Sequence, residues 1–160
     1  MSLEDDMALL GGLAIFAEID PVRLQVLAFT ADRRVFAAGK MLFAAGDPAL
    51  EAYVVTSGEA VMRATGADGA TQVRRIGRGD LIGETALLLD GARRSSVQAV
   101  TDVEAMSIGR DLFGRLMAEF PEMADGLARA AVQRLAALTA DIKTLDAQIE
   151  RRRARRQALD

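Results

Sequence analysis

The stretch Gly79-Asp80-Leu81-Ile82-Gly83-Glu84-Thr85-Ala86-Leu87, followed by Arg93-Arg94-Ser95-Ser96-Val97, decides how this chain is read. Glycine permits the tight turns that bring backbone amides close to a ligand. A helical turn opening after Gly83 would aim unpaired amide donors at an anion such as phosphate. A carboxylate on that turn can accept a sugar hydroxyl, and an arginine arriving from a later strand can grip two phosphate oxygens with its planar fork. Glu84 and Arg93 stand nine residues apart, and Val97, Ala99 and Thr101 follow at alternate positions. Taken singly, Glu84 is a common first-turn carboxylate and Arg93 a common surface charge. Paired at this spacing between β-prone runs, they point to an anion pocket.

Outward from this stretch, residues 34–108 carry short β-prone runs punctuated by glycine. They are Val35-Phe36, Met41-Leu42-Phe43, Ala52 to Thr56, Ala60 to Arg63, Gln72 to Ile76, Asp80 to Ile82, Val97 to Val100 and Val103 to Ile108. Eight strands so closely spaced predict a β-barrel, jelly roll or sandwich, because a parallel sheet would need intervening helices. Two helices are expected ahead of them. Leu9, Leu13 and Phe16 have helical spacing, which predicts one buried helix across Met7 to Ala17. Asp20 is placed to cap the second, with Pro21 at its first position and Val22, Leu24, Val26 and Leu27 as apolar contacts.

Downstream, a short helix is expected near Leu112 to Phe120, and a long one from Pro121. Ala124, Ala128, Ala131, Leu135, Leu138, Ile142, Leu145 and Ile149 step by three and four residues, the spacing of a coiled-coil seam. At about 1.5 Å per residue the seam is roughly 39 Å long, more than a single small domain readily covers, which predicts a two-fold dimer; the alternative is a helix packed across its own β-sheets. The chain therefore divides into residues 1–120, a domain with a sizeable core, and residues 121–158, a dimerisation helix with a basic end. That end, Arg151-Arg152-Arg153-Ala154-Arg155-Arg156, reads as a solvated helix terminus complementing the macrodipole, or as a contact for nucleic acid, an anionic membrane or an acidic partner.

With 51% apolar residues and a formal net charge of −3, the 160-residue chain has the composition of a globular protein without a global polyanion affinity. It contains neither cysteine nor histidine. That removes disulfides, zinc-thiolate and histidine-ligated metal or haem sites, and the usual general base at neutral pH, so neither a metal nor an enzymatic role is expected. The run from Met7 to Ala17 is too short for a membrane span, and Glu4, Asp5 and Asp6 precede it where an export signal needs positive charge. A cytoplasmic location is expected.

The Gly79 to Val97 pattern closely resembles the phosphate-binding cassette of cyclic nucleotide-binding domains. The runs Phe43-Ala44-Ala45-Gly46-Asp47 and Ala52-Tyr53-Val54-Val55-Thr56-Ser57-Gly58-Glu59-Ala60 resemble the first half of the same fold, and the likeness extends over residues 16–142. The resemblance implies a mainly β fold with α elements: an eight-stranded antiparallel, jelly-roll-like β-roll flanked by N-terminal helices and a long C-terminal helix. It implies a cAMP or cGMP ligand. The phosphate would lie on the Gly83, Ala86 and Arg94 amides and the Arg93 guanidinium, and the ribose hydroxyl on Glu84. Thr85 and Ser95 complete the cassette set, and Leu138 and Thr139 fall where catabolite-activator-type relatives contact the base from their dimer helix.

Two departures stand out. The residue after the phosphate arginine is normally small in the family, and here it is Arg94; the usual preceding proline is Ala92. A ten-residue separation would instead make Arg94 the phosphate ligand and Ser95 the small residue after it. In eukaryotic relatives a threonine at this position often accompanies cGMP preference and an alanine cAMP preference; Arg94 matches neither, and resemblance to bacterial cAMP-type regulators slightly favours cAMP. Those regulators continue into a helix-turn-helix domain, which this sequence does not contain, so sequence-specific DNA binding is not expected. The expected partners are a second copy of the chain and an unknown downstream protein. The competing expectation is a ligand-free dimerisation scaffold whose pocket Arg94 fills.

Overall fold

The run Ala52-Tyr53-Val54-Val55-Thr56 is buried without interruption, as expected for a strand covered on both faces. The computed structural model describes residues 2–122, 124–125, 128–129 and 147–154. Eight strands occur among them: β1 (Asp32–Phe36), β2 (Met41–Phe43), β3 (Glu51–Ser57), β4 (Ala60–Thr65), β5 (Thr71–Ile76), β6 (Leu81–Ile82), β7 (Ser95–Ala99) and β8 (Val103–Gly109). They form two antiparallel four-stranded sheets, ordered β1-β8-β3-β6 and β2-β7-β4-β5. The helices are α1 (Leu3–Gly11), a 3-10 turn (Ala14–Phe16), α2 (Pro21–Thr30), α3 (Thr85–Leu88) and α4 (Arg110–Glu119).

The first sheet is the middle of three layers. On one face Ala52, Val54, Met106 and Ile108 pack against Leu10, Phe16, Leu24, Leu27 and Phe113 of the helices. On the other face Tyr53, Val55 and Ala105 meet Phe43, Ile76 and Val97 of the second sheet. Successive strand side chains point to opposite faces, so a single strand serves both cores. At roughly 1.5–3 kcal/mol for each large side chain buried, the two cores dominate the stabilisation of the fold.

The helices are fixed at their ends. Ser2 caps α1 in a reciprocal capping box with Asp5. Asp20 accepts the Arg23 amide at 3.1 Å, and Pro21 occupies the first position of α2, as expected from the sequence. The single helix expected across Met7 to Ala17 is instead two elements. Gly11-Gly12 ends α1, since glycine pays a high entropic cost in a helix, and the 3-10 turn then carries Phe16 into the core. Asp6, buried in α1, pairs with Arg33 of β1 and pins the helix to the sheet. The β3–β4 turn depends on Gly58, whose φ of +86° and close approach to the Asp102 carbonyl leave no room for a Cβ.

Arg23 lies 4.4 Å from the Phe120 ring centre and pairs with Glu122, and Arg129 pairs with Glu18. Residues 147–154 are helical and exposed. Most of the predicted long helix lies outside the described residues, including Ala131, Leu135, Leu138, Ile142 and Leu145 of the seam. Thr139, Arg155 and Arg156 lie outside them too. Of the seam, Ala124, Ala128 and Ile149 are described, the last 42% exposed.

Candidate functional site

The β6-to-β7 connection brings the glycine turn and the arginine together. Leu81 and Ile82 pair with Val54 and Tyr53, which carries the chain to Gly83 beside the buried strand β3. Gly83 has φ +71°, a left-handed conformation costly for other residues, and a Cβ there would collide with Nη1 of Arg93. Its missing side chain is thus required twice, by the turn and by the guanidinium packed against it. Glu84 follows as the half-buried N-cap of α3, Thr85 is exposed, and Ala86 is fully buried.

The backbone of Arg93 is clamped from the far side. Its amide donates to the Asp47 carbonyl at 2.7 Å, its carbonyl accepts the Gly46 amide at 2.9 Å, and Ala92 bridges to Pro48. These contacts hold the turn in place without the family's usual proline at position 92. Arg93 is only 8% exposed, with its guanidinium carbon 4.1 Å from the Phe43 ring centre and 6.0 Å from that of Tyr53. Nε and Nη1 have no hydrogen-bond partner among the described residues. Burial lowers the Arg93 pKa from its ordinary value, with Tyr53, Glu51 and Asp47 opposing that shift. A buried cation with unused donors is costly unless paired, so the geometry favours an anion beside Gly83.

Arg94, the next residue, is exposed. Its side chain does not occupy the space that Arg93 fills, which favours the nine-residue register for the arginine. Ser95 is half-buried at the start of β7 opposite Ala64. The Ala86 amide, expected to face a phosphate, donates to the Gly83 carbonyl at 3.0 Å. The tight first turn of α3 uses that donor, so a ligand here would share it.

Sequence reasoning missed the polar floor beside Arg93. Glu51 accepts hydrogen bonds from the hydroxyls of Tyr53 and Ser107, and Arg34 lies 4.0 Å away. Burial works against the Glu51 charge, but Ser107, Tyr53, Arg34 and Arg93 hold its carboxyl below the usual range. The Tyr53 hydroxyl is pushed up by burial and by Glu51, and so stays protonated as a donor. A carboxylate two residues before a strand tyrosine was the one visible signal, since period two places both on one face. Arg110 was missed as well: its guanidinium binds the Ala86 and Ala49 carbonyls and Asp90.

A sequence model of the Cyclic nucleotide-binding domain family matches residues 33–120. The chain is 36% identical over 110 residues to a cAMP-dependent protein kinase regulatory subunit of Aspergillus niger, covering 69% of this chain and 26% of that protein. It is 30% identical over 128 residues to a CRP-like cAMP-activated global transcriptional regulator of Mycobacterium tuberculosis, covering 79% of this chain and 57% of that protein. The chain therefore spans between a quarter and somewhat over half the length of these relatives. The crystal structure of the N-terminal domain of a transcriptional regulator from Streptomyces coelicolor A3(2) superposes with a TM-score of 0.73 at 30% identity, over 81% of this chain and 94% of that one. The matched segment covers more than half of the 160 residues, and the chain belongs to the cyclic nucleotide-binding domain family.

Proposed function

We propose that the chain is a regulatory module that binds a cyclic nucleotide between the Gly83 turn and Arg93. The observation that carries this reading is the Arg93 guanidinium, buried against Gly83 and Phe43 with two nitrogens unpartnered among the described residues. The cyclic phosphate takes those donors, Glu84 takes the ribose hydroxyl, and Gly83, Thr85, Ala86, Arg94 and Ser95 line the approach. Cyclic AMP is preferred over cyclic GMP, a choice supported by relatives whose names specify cAMP. The exposure of Arg94 weighs against the competing scaffold reading.

Residues 121–158 act as the output element in this proposal. The heptad spacing and exposed Ile149 support a homodimer in which Thr139 reaches the base and occupancy shifts the population of helix arrangements. The module is cytoplasmic and non-enzymatic, and its histidine- and cysteine-free sequence supports recognition over catalysis. Titration with cAMP and cGMP tests it directly. At about 100 times the dissociation constant, ligand should stabilise the fold by about 2.7 kcal/mol, a melting shift of roughly 5–10 °C. No shift with either nucleotide at millimolar concentration would overturn the proposal.

A further inference from the structure

The candidate pocket has two walls that are separate in sequence. One is the Gly83–Ala86 turn; the other is the turn at residues 46–49, which clamps the Arg93 backbone. Arg110, the first residue of α4, bonds to both. Its Nε donates to the Ala86 carbonyl at 2.7 Å and its Nη2 donates to the Ala49 carbonyl. Nη1 takes Asp90 at 3.0 Å, in the loop between α3 and Arg93, and the backbone amide of Arg110 donates to the Leu50 carbonyl at 3.0 Å. The Ala49 amide returns the contact to Gly91 at 2.9 Å. One planar cation therefore fixes the distance between the walls, using donors whose relative directions are rigid.

We propose that Arg110 is a positioning residue for the anion pocket, holding the Gly83 turn and the Arg93 backbone at the separation a cyclic phosphate requires. It touches no ligand itself. A lysine at this position keeps the charge but cannot serve two carbonyls and a carboxylate in fork geometry. Loss of the fork lets the walls separate, and the amides and Arg93 then lose their preorganised convergence on one anion. The role rests on the cyclic nucleotide reading for its ligand, but not for its geometry.

The test uses the full chain with Arg110→Lys and Arg110→Met. Dissociation constants for cAMP and cGMP are measured by calorimetry at a temperature where circular dichroism shows each variant folded. Arg110→Lys is expected to weaken binding by about tenfold or more, the scale of one charge-assisted hydrogen bond. Without ligand, amide hydrogen exchange should quicken at residues 83–93 while β3 and β8 keep their protection. A residue that only supports the fold would lower the melting temperature with binding unchanged at the lower temperature. That result, or exchange rising evenly through the sheets, overturns the proposal. Should Arg110→Met fail to fold, Arg110→Lys carries both measurements. If the native chain binds neither nucleotide, the functional reading fails, and the exchange pattern still decides the role of Arg110.

Discussion

The guanidinium of Arg93 lies over Phe43, with its central carbon 4.1 Å from the ring centre. This contact ties the fold to the candidate site, because the aromatic face holds a cation whose Nε and Nη1 have no hydrogen-bond partner among the described residues. Cation–π attraction of about 1–2 kcal/mol offsets only part of the desolvation a buried guanidinium suffers. On the proposed reading, the phosphate of a bound nucleotide supplies the rest.

Replacing Arg93 by methionine separates the two roles. The side chain keeps its bulk against Phe43 and loses the buried charge, so ligand-free stability should stay within about 1 kcal/mol of native or rise. The nucleotide-induced melting shift should disappear. Arg94→Ala should retain that shift, because the side chain removed is exposed and the backbone amide remains. Differential scanning fluorimetry with and without cAMP reads both variants, and a shift that survives in Arg93→Met would remove Arg93 from the site.

Gly83→Ala attacks the same junction from the backbone. A methyl group there meets Nη1 of Arg93 and requires the φ of +71° to be held by an L residue. The conformational cost alone is about 1–2 kcal/mol, and the displaced guanidinium should weaken nucleotide binding as well. An alanine variant with native melting temperature and native affinity would contradict the close approach.

On the helical side, the rings of Phe113 of α4 and Phe16 meet at a tilt of 54° with centres 6.3 Å apart, each at 1% exposure or less. Phe113→Ala opens a cavity between the helices and the middle sheet, at about 3–5 kcal/mol. The urea midpoint should fall accordingly with an unchanged slope. A loss below 1 kcal/mol would mean that α4 packs elsewhere.

What the sequence disclosed followed from local chemistry. Strand β3 announced itself as an apolar run, and Gly83 through Arg93 as a turn with a cation at fixed spacing. The break at Gly11-Gly12 was masked by the helical spacing of Leu9, Leu13 and Phe16, which continues across it. Glu51 and Ser107 stand 56 residues apart, and only the register of β3 against β8 brings them together. Arg110 was illegible for another reason: two of its acceptors are backbone carbonyls, which every residue type carries.

Glu51 gives the fold an acid-sensitive contact. Its carboxyl is held below the usual range by the Ser107 and Tyr53 hydroxyls and by Arg34 and Arg93, which outweigh the opposing effect of burial. A folded-state pKa depressed below the unfolded value of about 4.3 contributes stability that is fully present above that value. It is lost as pH falls through the lower folded value. Glu51→Gln keeps the shape and removes the titration, so the stability advantage of the native chain over the variant should shrink as pH falls from about 5 to 3. Thermal melts of both proteins across that range measure it. An advantage that stays constant would show that Glu51 acts there as a neutral hydrogen-bond acceptor, with its charge contributing nothing.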